Sequence, residues 1–293
     1  MQFLIFAISY PIIWILSLLP MRVLYILSDF LYILFFYLIG YRKKVVLENL
    51  QLAFPTKDLS ELKTIQKDFF KHFTDIFVES IKAFSITKKT LLKRYKFRNP
   101  ELINELYDKG RSIAFMGAHQ ANWEWSISIP LYVKIKCFGA YTRIGNTYFD
   151  KTVKKSRTKF GFIGYKTSET IKSITRNFDE GIQGLYLLLS DQSPQIHKTH
   201  YWREFMGIKV PIHTGAEMIA KKFDMAVVNY SVKKLKRGYF EVTFETITEH
   251  PNNFKDYEIT DKYLAITERN INTQPAYYLW SHKRFKHKNK HQF

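Results

Sequence analysis

Hydrophobic positions are distributed differently in three stretches of this chain. From Phe3 to Ile39 they are almost unbroken, with Arg22 and Asp29 the only charges, and the run stops at Tyr41-Arg42-Lys43-Lys44. From Leu59 to Phe84 they fall three and four residues apart, at Leu62, Ile65, Phe69, Phe73, Ile76, Phe77, Ile81 and Phe84. That spacing predicts an amphipathic helix. Further on come short apolar runs at Ser112-Met116, Val133-Tyr141, Gly184-Leu189, Met225-Val232 and Gly238-Thr246, which read as buried strands. Helical patterns at Asn122-Leu131, Ser168-Phe178, Thr214-Phe223 and Asp261-Asn272 alternate with them. The alternation predicts an α/β fold with a mixed central sheet flanked by helices, its last two strands an antiparallel pair joined around Lys234-Gly238. No repeat, low-complexity tract or Gly/Ser/Pro linker divides the chain after residue 40, so residues 41–293 are expected to form one body behind an N-terminal apolar segment, 1–40.

Pro11 and Pro20 break the apolar segment. The stretch from Val23 to Ile39 would be about 26 Å long as a helix, short of a hydrocarbon core of roughly 30 Å. Two membrane readings follow: a transmembrane anchor, or a pair of helices lying in one leaflet with Asp29 facing polar groups or water. A buried helical hairpin of a soluble protein is the plainer alternative. A cleaved signal peptide fits poorly, because no basic residue precedes the run and no small-x-small site follows it. Tyr25, Tyr32, Tyr37 and Tyr41, with the basic residues after them, read as interfacial anchors, and the positive charge places residue 42 onward in the cytoplasm.

Charge narrows the partners. Forty-five Lys and Arg against 26 Asp and Glu give a formal net charge of +19, which calls for an anionic partner: nucleic acid, acidic lipid, or an acidic or phosphorylated carrier. The single cysteine, Cys137, rules out an intrachain disulfide and any Cys-based zinc pattern. There is no phosphate-binding P-loop, no G-x-G-x-x-G, no H-E-x-x-H and no G-x-S-x-G. His197 and His200 stand among polar and basic neighbours and read as a solvated loop, so no metal is expected.

The segment Ser112-Ile-Ala-Phe-Met-Gly-Ala-His-Gln-Ala-Asn-Trp-Glu124 carries the candidate chemistry. A buried strand ends in Gly117 and Ala118 and delivers His119 to the rim of the sheet, where open α/β sheets bind ligands. Glu124 falls one turn into the following helix. A histidine ahead of that helix can fold back so that Glu124 accepts its ring N–H, fixing the tautomer and stabilising the imidazolium. A neutral imidazole held this way is a general base near pH 7. No serine or cysteine nucleophile stands beside it in sequence, so the acceptor substrate itself is the expected nucleophile, in direct acyl transfer without a covalent acyl-enzyme. The spacing alone is weak evidence, since nine histidines and 26 acids in 293 residues produce such a pair by chance.

Further segments add weight. Gly40-Tyr41-Arg42-Lys43-Lys44-Val45-Val46-Leu47-Glu48-Asn49-Leu50 with Ala53-Phe54-Pro55, His119 to Glu124, Tyr141-Thr142-Arg143 with Asn146, Arg157, Asp191-Gln192-Ser193-Pro194, Phe205-Met206-Gly207 with Pro211 and His213-Thr214-Gly215, and Pro275 to Lys286 occur in that order. Together they resemble the lipid A late acyltransferases, within the wider superfamily of glycerolipid and lysophospholipid acyltransferases that share an H-x4-[DE] motif. The resemblance runs almost end to end. It implies transfer of a fatty acyl chain from an acyl carrier protein thioester to a hydroxyl of a lipid A precursor, at the cytoplasmic face of the inner membrane, with no cofactor. By resemblance His119 is the base and Glu124 its orienter, while Arg143, Asn146, Arg157, Asp191 and Gln192 bind substrate or organise the site. Trp280, His282 and Arg284 read as structural, and the basic tail suits an acidic carrier or phosphorylated lipid.

Two alternatives stay open at this point. One keeps the chemistry but takes a lysophospholipid or an acyl amino-acid lipid as acceptor. The other is a basic, membrane-bound binding protein without catalysis; RNA-stacking motifs are absent, and nucleic acid is not expected as a partner.

Overall fold

The computed structural model describes residues 1–288 and 290. The chain opens with helices α1 (Gln2–Leu18) and α2 (Met21–Ile33), and α2 runs into a π-helical turn, Leu34–Ile39. Pro20 stands between the two helices in extended backbone, and Gly40 ends the π turn at φ 67, the left-handed conformation glycine adopts cheaply. Next come α3 (Lys43–Ala53) and α4 (Leu59–Lys82); α4 starts at a reciprocal cap between Asp58 and Glu61.

The body then runs α5 (Lys88–Arg94), β1 (Tyr95–Phe97), α6 (Glu101–Asp108), β2 (Ile113–Gly117), a 3-10 segment Trp123–Leu131, β3 (Lys136–Tyr141), α7 (Thr147–Thr158), β4 (Ile163–Lys166), α8 (Thr170–Asp179), β5 (Gly184–Leu189), β6 (Trp202–Phe205), β7 (Ile208–Pro211), α9 (Gly215–Lys222), β8 (Ala226–Lys236), β9 (Tyr239–Thr248) and α10 (Glu258–Thr273). The expected helix at Asn122-Leu131 is thus wound as a 3-10 segment, with Pro130 inside it.

Seven strands form the central sheet in the order β1-β9-β8-β2-β5-β3-β4, and β6 and β7 form a separate antiparallel pair. Strands β8, β2, β5, β3 and β4 run parallel; β9 returns antiparallel beside β8, as the hairpin signal implied. β2 lies inside the sheet and is buried along its whole length. Its alternate side chains feed two cores: Ala114 and Met116 pack with Ile219 and Leu264 on one face, Ile113 and Phe115 with Ile103 and Trp125 on the other.

Helix α2 lies along α4, and α1 touches α4 and the start of α7. Leu24 and Ser28 are buried on the inward side of α2, while Ile26 and Phe30 are 69% and 61% exposed. This inverts the usual helix, for the outer face is apolar and the inner face partly polar. Ser28 donates to the Asp75 carboxylate at 2.8 Å, and Asp29 pairs with Arg237 at 2.6 Å. The Met21–Ile39 stretch is long and apolar enough to cross a membrane, by length and composition. The last carbonyls of α1 are held by the Lys82 ammonium, which reaches Ser17 O at 2.7 Å.

Candidate active site

The site is built on strand register. β2 and β5 pair in parallel with Gly117 opposite Leu189, and both strands end at that level. His119 and Asp191, each two residues further on, therefore emerge side by side at the carboxyl edge of the sheet. The His119 ring Nδ1 lies 2.7 Å from Asp191 Oδ1, and the His119 backbone N–H donates to Asp191 Oδ2 at 3.1 Å. Asp191 is 1% exposed and the imidazole 18%. The carboxylate on Nδ1 is therefore Asp191, and the expectation that Glu124 fills that place is corrected: Glu124 binds Arg157 instead, at 3.0 Å. The reason is geometric. Asn122 spends its carbonyl capping the 3-10 segment at the Trp125 N–H, which begins the helix beyond the histidine and keeps Glu124 on the cavity wall.

Electrostatics follow from this contact. Burial works against an imidazolium at His119, but the charge and hydrogen bond of Asp191, helped by the charge of Glu124, outweigh it and raise the pKa above the ordinary value. Burial likewise works against an ionised Asp191, and the His119 charge and hydrogen bonds win, leaving it below the usual carboxylate value. With Nδ1–H donating to Asp191, the other ring nitrogen, Nε2, is the basic one; the Gln192 amide nitrogen lies 3.3 Å from it.

His119, Glu124 and Arg157 stand in the wall of a cavity of about 160 Å³. The rest of that wall is largely apolar, with Ile127, Ile144, Val153, Phe162, Leu187 and Leu189. Gly117 is required just below, because a Cβ there would run into the Tyr230 ring. An imidazole with one nitrogen tethered to a carboxylate and the other turned to a greasy slot can take a proton from a hydroxyl bound there. No serine or cysteine bonds to the ring among the described residues, and Cys137 is buried.

The family model of the bacterial lipid A biosynthesis acyltransferases matches residues 2–287. The chain belongs to that family. It is thereby an acyltransferase of lipid A biosynthesis, in agreement with the resemblance carried by its motifs. No curated protein matches the sequence.

In this acyltransferase the motifs at the two chain ends meet beside His119. The Asn49 amide donates to the carbonyls of Trp280 and His282, both at 2.8 Å, and Arg42 donates to Ser281 O at 2.7 Å. The Leu279 N–H in turn donates to His119 O at 3.0 Å, and the Ala121 N–H to Tyr277 O at 2.8 Å, with Ala121 held at φ 49. His282 Nε2 accepts the Ser193 N–H at 3.1 Å; burial, with the Arg284 and Lys286 charges, pushes its pKa down to about 4, so it stays a neutral acceptor.

The other residues expected at the site are placed as follows. Arg157 joins Glu124 at the cavity, and Gln192 meets the His119 ring. Arg143 is exposed on the loop between β3 and α7, outside the cavity wall. Asn146 caps α7, accepting the Tyr148 and Phe149 N–H groups, and donates to Gln2 O on α1 at 2.8 Å. Sequence reasoning missed Glu79 of α4, whose carboxylate accepts from Asn122 at 2.6 Å and whose backbone carbonyl accepts from the Trp125 indole at 3.3 Å. No local signal marked it, because Glu79 falls beside the predicted apolar stripe and is buried only by tertiary packing. Among the described residues no group of three or more His, Cys, Asp or Glu forms a metal cluster.

Proposed function

We propose that the protein transfers a fatty acyl chain from an acyl carrier protein thioester to a hydroxyl of a lipid A precursor, at the cytoplasmic face of the inner membrane. The observation that carries the mechanism is the 2.7 Å contact between His119 Nδ1 and Asp191, which leaves Nε2 as the base at the apolar cavity. The acceptor hydroxyl displaces the Gln192 amide from Nε2 and gives up its proton there as its oxygen attacks the thioester carbonyl. The tetrahedral intermediate then expels the thiolate, which takes the proton back from the imidazolium. Asp191 fixes the tautomer and stabilises the imidazolium at short range. Glu124 adds a second negative charge and holds Arg157 over the cavity, where Arg157 meets the anionic substrate. Arg143, on its exposed loop, contributes to the basic rim that the lipid headgroup encounters.

Membrane association is part of the proposal. The outward apolar face of α1 and α2 supports it, and the packing of α2 along α4, with Asp29 tied to Arg237, favours helices lying in one leaflet over a free span. Lys and Arg near an anionic surface add about 1 kcal/mol each.

His119→Ala is expected to abolish transfer of a radiolabelled acyl group from acyl carrier protein to the lipid acceptor, with an unchanged thermal melt. Turnover equal to the parent protein would remove the proposal.

A further inference from the structure

A second depression, of about 440 Å³, continues the His119 cavity along the carboxyl edge of the sheet. The two share Tyr141, Lys154 and Gly164 as lining, so they adjoin. Beyond that seam the wall is made by the ends of β4 and the first turns of α8, and its character changes from apolar to cationic: Lys154, Lys166, Lys172 and Arg176 face a single carboxylate, Glu169. That carboxylate is already taken by Lys166 at 3.1 Å. Lys154, Lys172 and Arg176 have no carboxylate partner among the described residues; the Lys154 ammonium lies 5.9 Å from the Tyr141 ring centre. Three cations without a carboxylate partner, at the edge where parallel sheets bind ligands, describe a place for a bound anion.

The position selects which anion. α8 packs on β4 and the turn before it, whereas the apolar helices α1 and α2 pack on α4 and the start of α7. Directly after the apolar segment lies a different basic groove, lined by Lys44, Lys283, Lys286 and Lys288, within reach of a headgroup beside α2. The α8 depression, lined by β4 and α8 away from α2, is open to a substrate arriving from water.

Resting on the acyl-transfer reading above, we propose that the depression formed by Lys154, Lys172 and Arg176 is the phosphate subsite for the donor's phosphopantetheine arm, with the arm passing Tyr141 and Gly164 to bring its thioester to His119. The same phosphate occurs on a carrier-protein arm and on coenzyme A, so loss of the subsite must affect both donors.

Full-length protein in detergent micelles is titrated calorimetrically with 4′-phosphopantetheine and with pantetheine. The phosphorylated probe should bind at least tenfold more tightly, and the K172E/R176E variant should lose that preference while keeping its thermal melt; should this variant not fold, Lys172→Gln alone should weaken the preference about threefold. In kinetics, K172E/R176E should raise KM for the acyl-carrier donor about tenfold and leave KM for the lipid acceptor in place. An equal rise with acyl-coenzyme A confirms recognition of the shared phosphopantetheine phosphate; a rise with the carrier alone would place the effect on the carrier's protein surface and overturn the arm subsite. Equal binding of both probes to the parent protein overturns the proposal, as does a KM effect confined to the acceptor, which would make the depression a headgroup site. If the parent protein transfers no acyl group at all, the reading of function fails while the calorimetry still decides the subsite.

Discussion

His119 takes its properties from two carboxylates at unequal distance, and substitutions separate them. Asp191→Asn removes the charge that holds the imidazolium and offers an amide where Nδ1–H needs an acceptor, so kcat is expected to fall roughly a thousandfold or more. Glu124→Gln removes only a more distant charge and frees Arg157, for an expected loss of about tenfold. The pH profile adds a sign. In the proposed mechanism His119 acts as a neutral base, so the rate should rise with pH through its pKa, which Asp191 raises above the ordinary value. Asp191→Asn therefore moves the acid limb of the profile to lower pH, and Glu124→Gln moves it less. If Glu124→Gln shifted the limb and Asp191→Asn did not, Glu124 would regain the orienting role. The same pair acts on stability: the imidazolium's attraction to Asp191 favours the fold below the ordinary histidine pKa and is lost as pH rises through the raised one.

At the scale of elements, the loop that carries His119 is clamped between α4 and the C-terminal segment. Glu79 is the clamp on the α4 side, since it bonds Asn122, the Trp125 indole and the Tyr25 hydroxyl of α2 at once. Burial, with the nearby Asp75 charge, pushes its pKa up to about 7. A carboxyl with a raised folded pKa binds its proton more tightly folded than unfolded, so this group makes stability fall as pH rises from about 4.5 to about 7. Urea midpoints of the parent protein should show that slope, and Glu79→Gln should flatten it while keeping the hydrogen bonds of the clamp. Glu79→Ala leaves Asn122 and Tyr25 without their acceptor and should cost about 2–4 kcal/mol. A Glu79→Gln slope equal to the parent's would place the titrating group elsewhere.

For the molecule as a whole, the proposal assigns the apolar outer face of α1 and α2 to lipid and the cations around the His119 edge to a substrate from water. Replacing Ile26 and Phe30 with Asn leaves the packed side of α2 alone, because both side chains point outward. Each is worth about 1.5–3 kcal/mol when buried in an apolar phase, so vesicle partitioning should drop roughly tenfold or more with no change in melting temperature. Co-sedimentation with anionic vesicles measures it; undiminished binding would assign membrane contact to another surface.

The order of motifs, the amphipathic α4, the inner strands and the antiparallel β8–β9 pair were legible in sequence, because periodicity and turn residues act over a few positions. So was the histidine at the end of a buried strand. Short elements were not: β1, β4, β6 and β7 are three or four residues long and carry too little pattern. Nor could local spacing identify the partner of His119. Glu124 was near in sequence, whereas Asp191 is brought beside the ring by the parallel pairing of Gly117 with Leu189. Hydrophobic pattern thus decides which segments are buried and what type they are, since that free energy is read residue by residue; which carboxylate meets the imidazole is decided by strand register, a property that exists only once distant strands have paired.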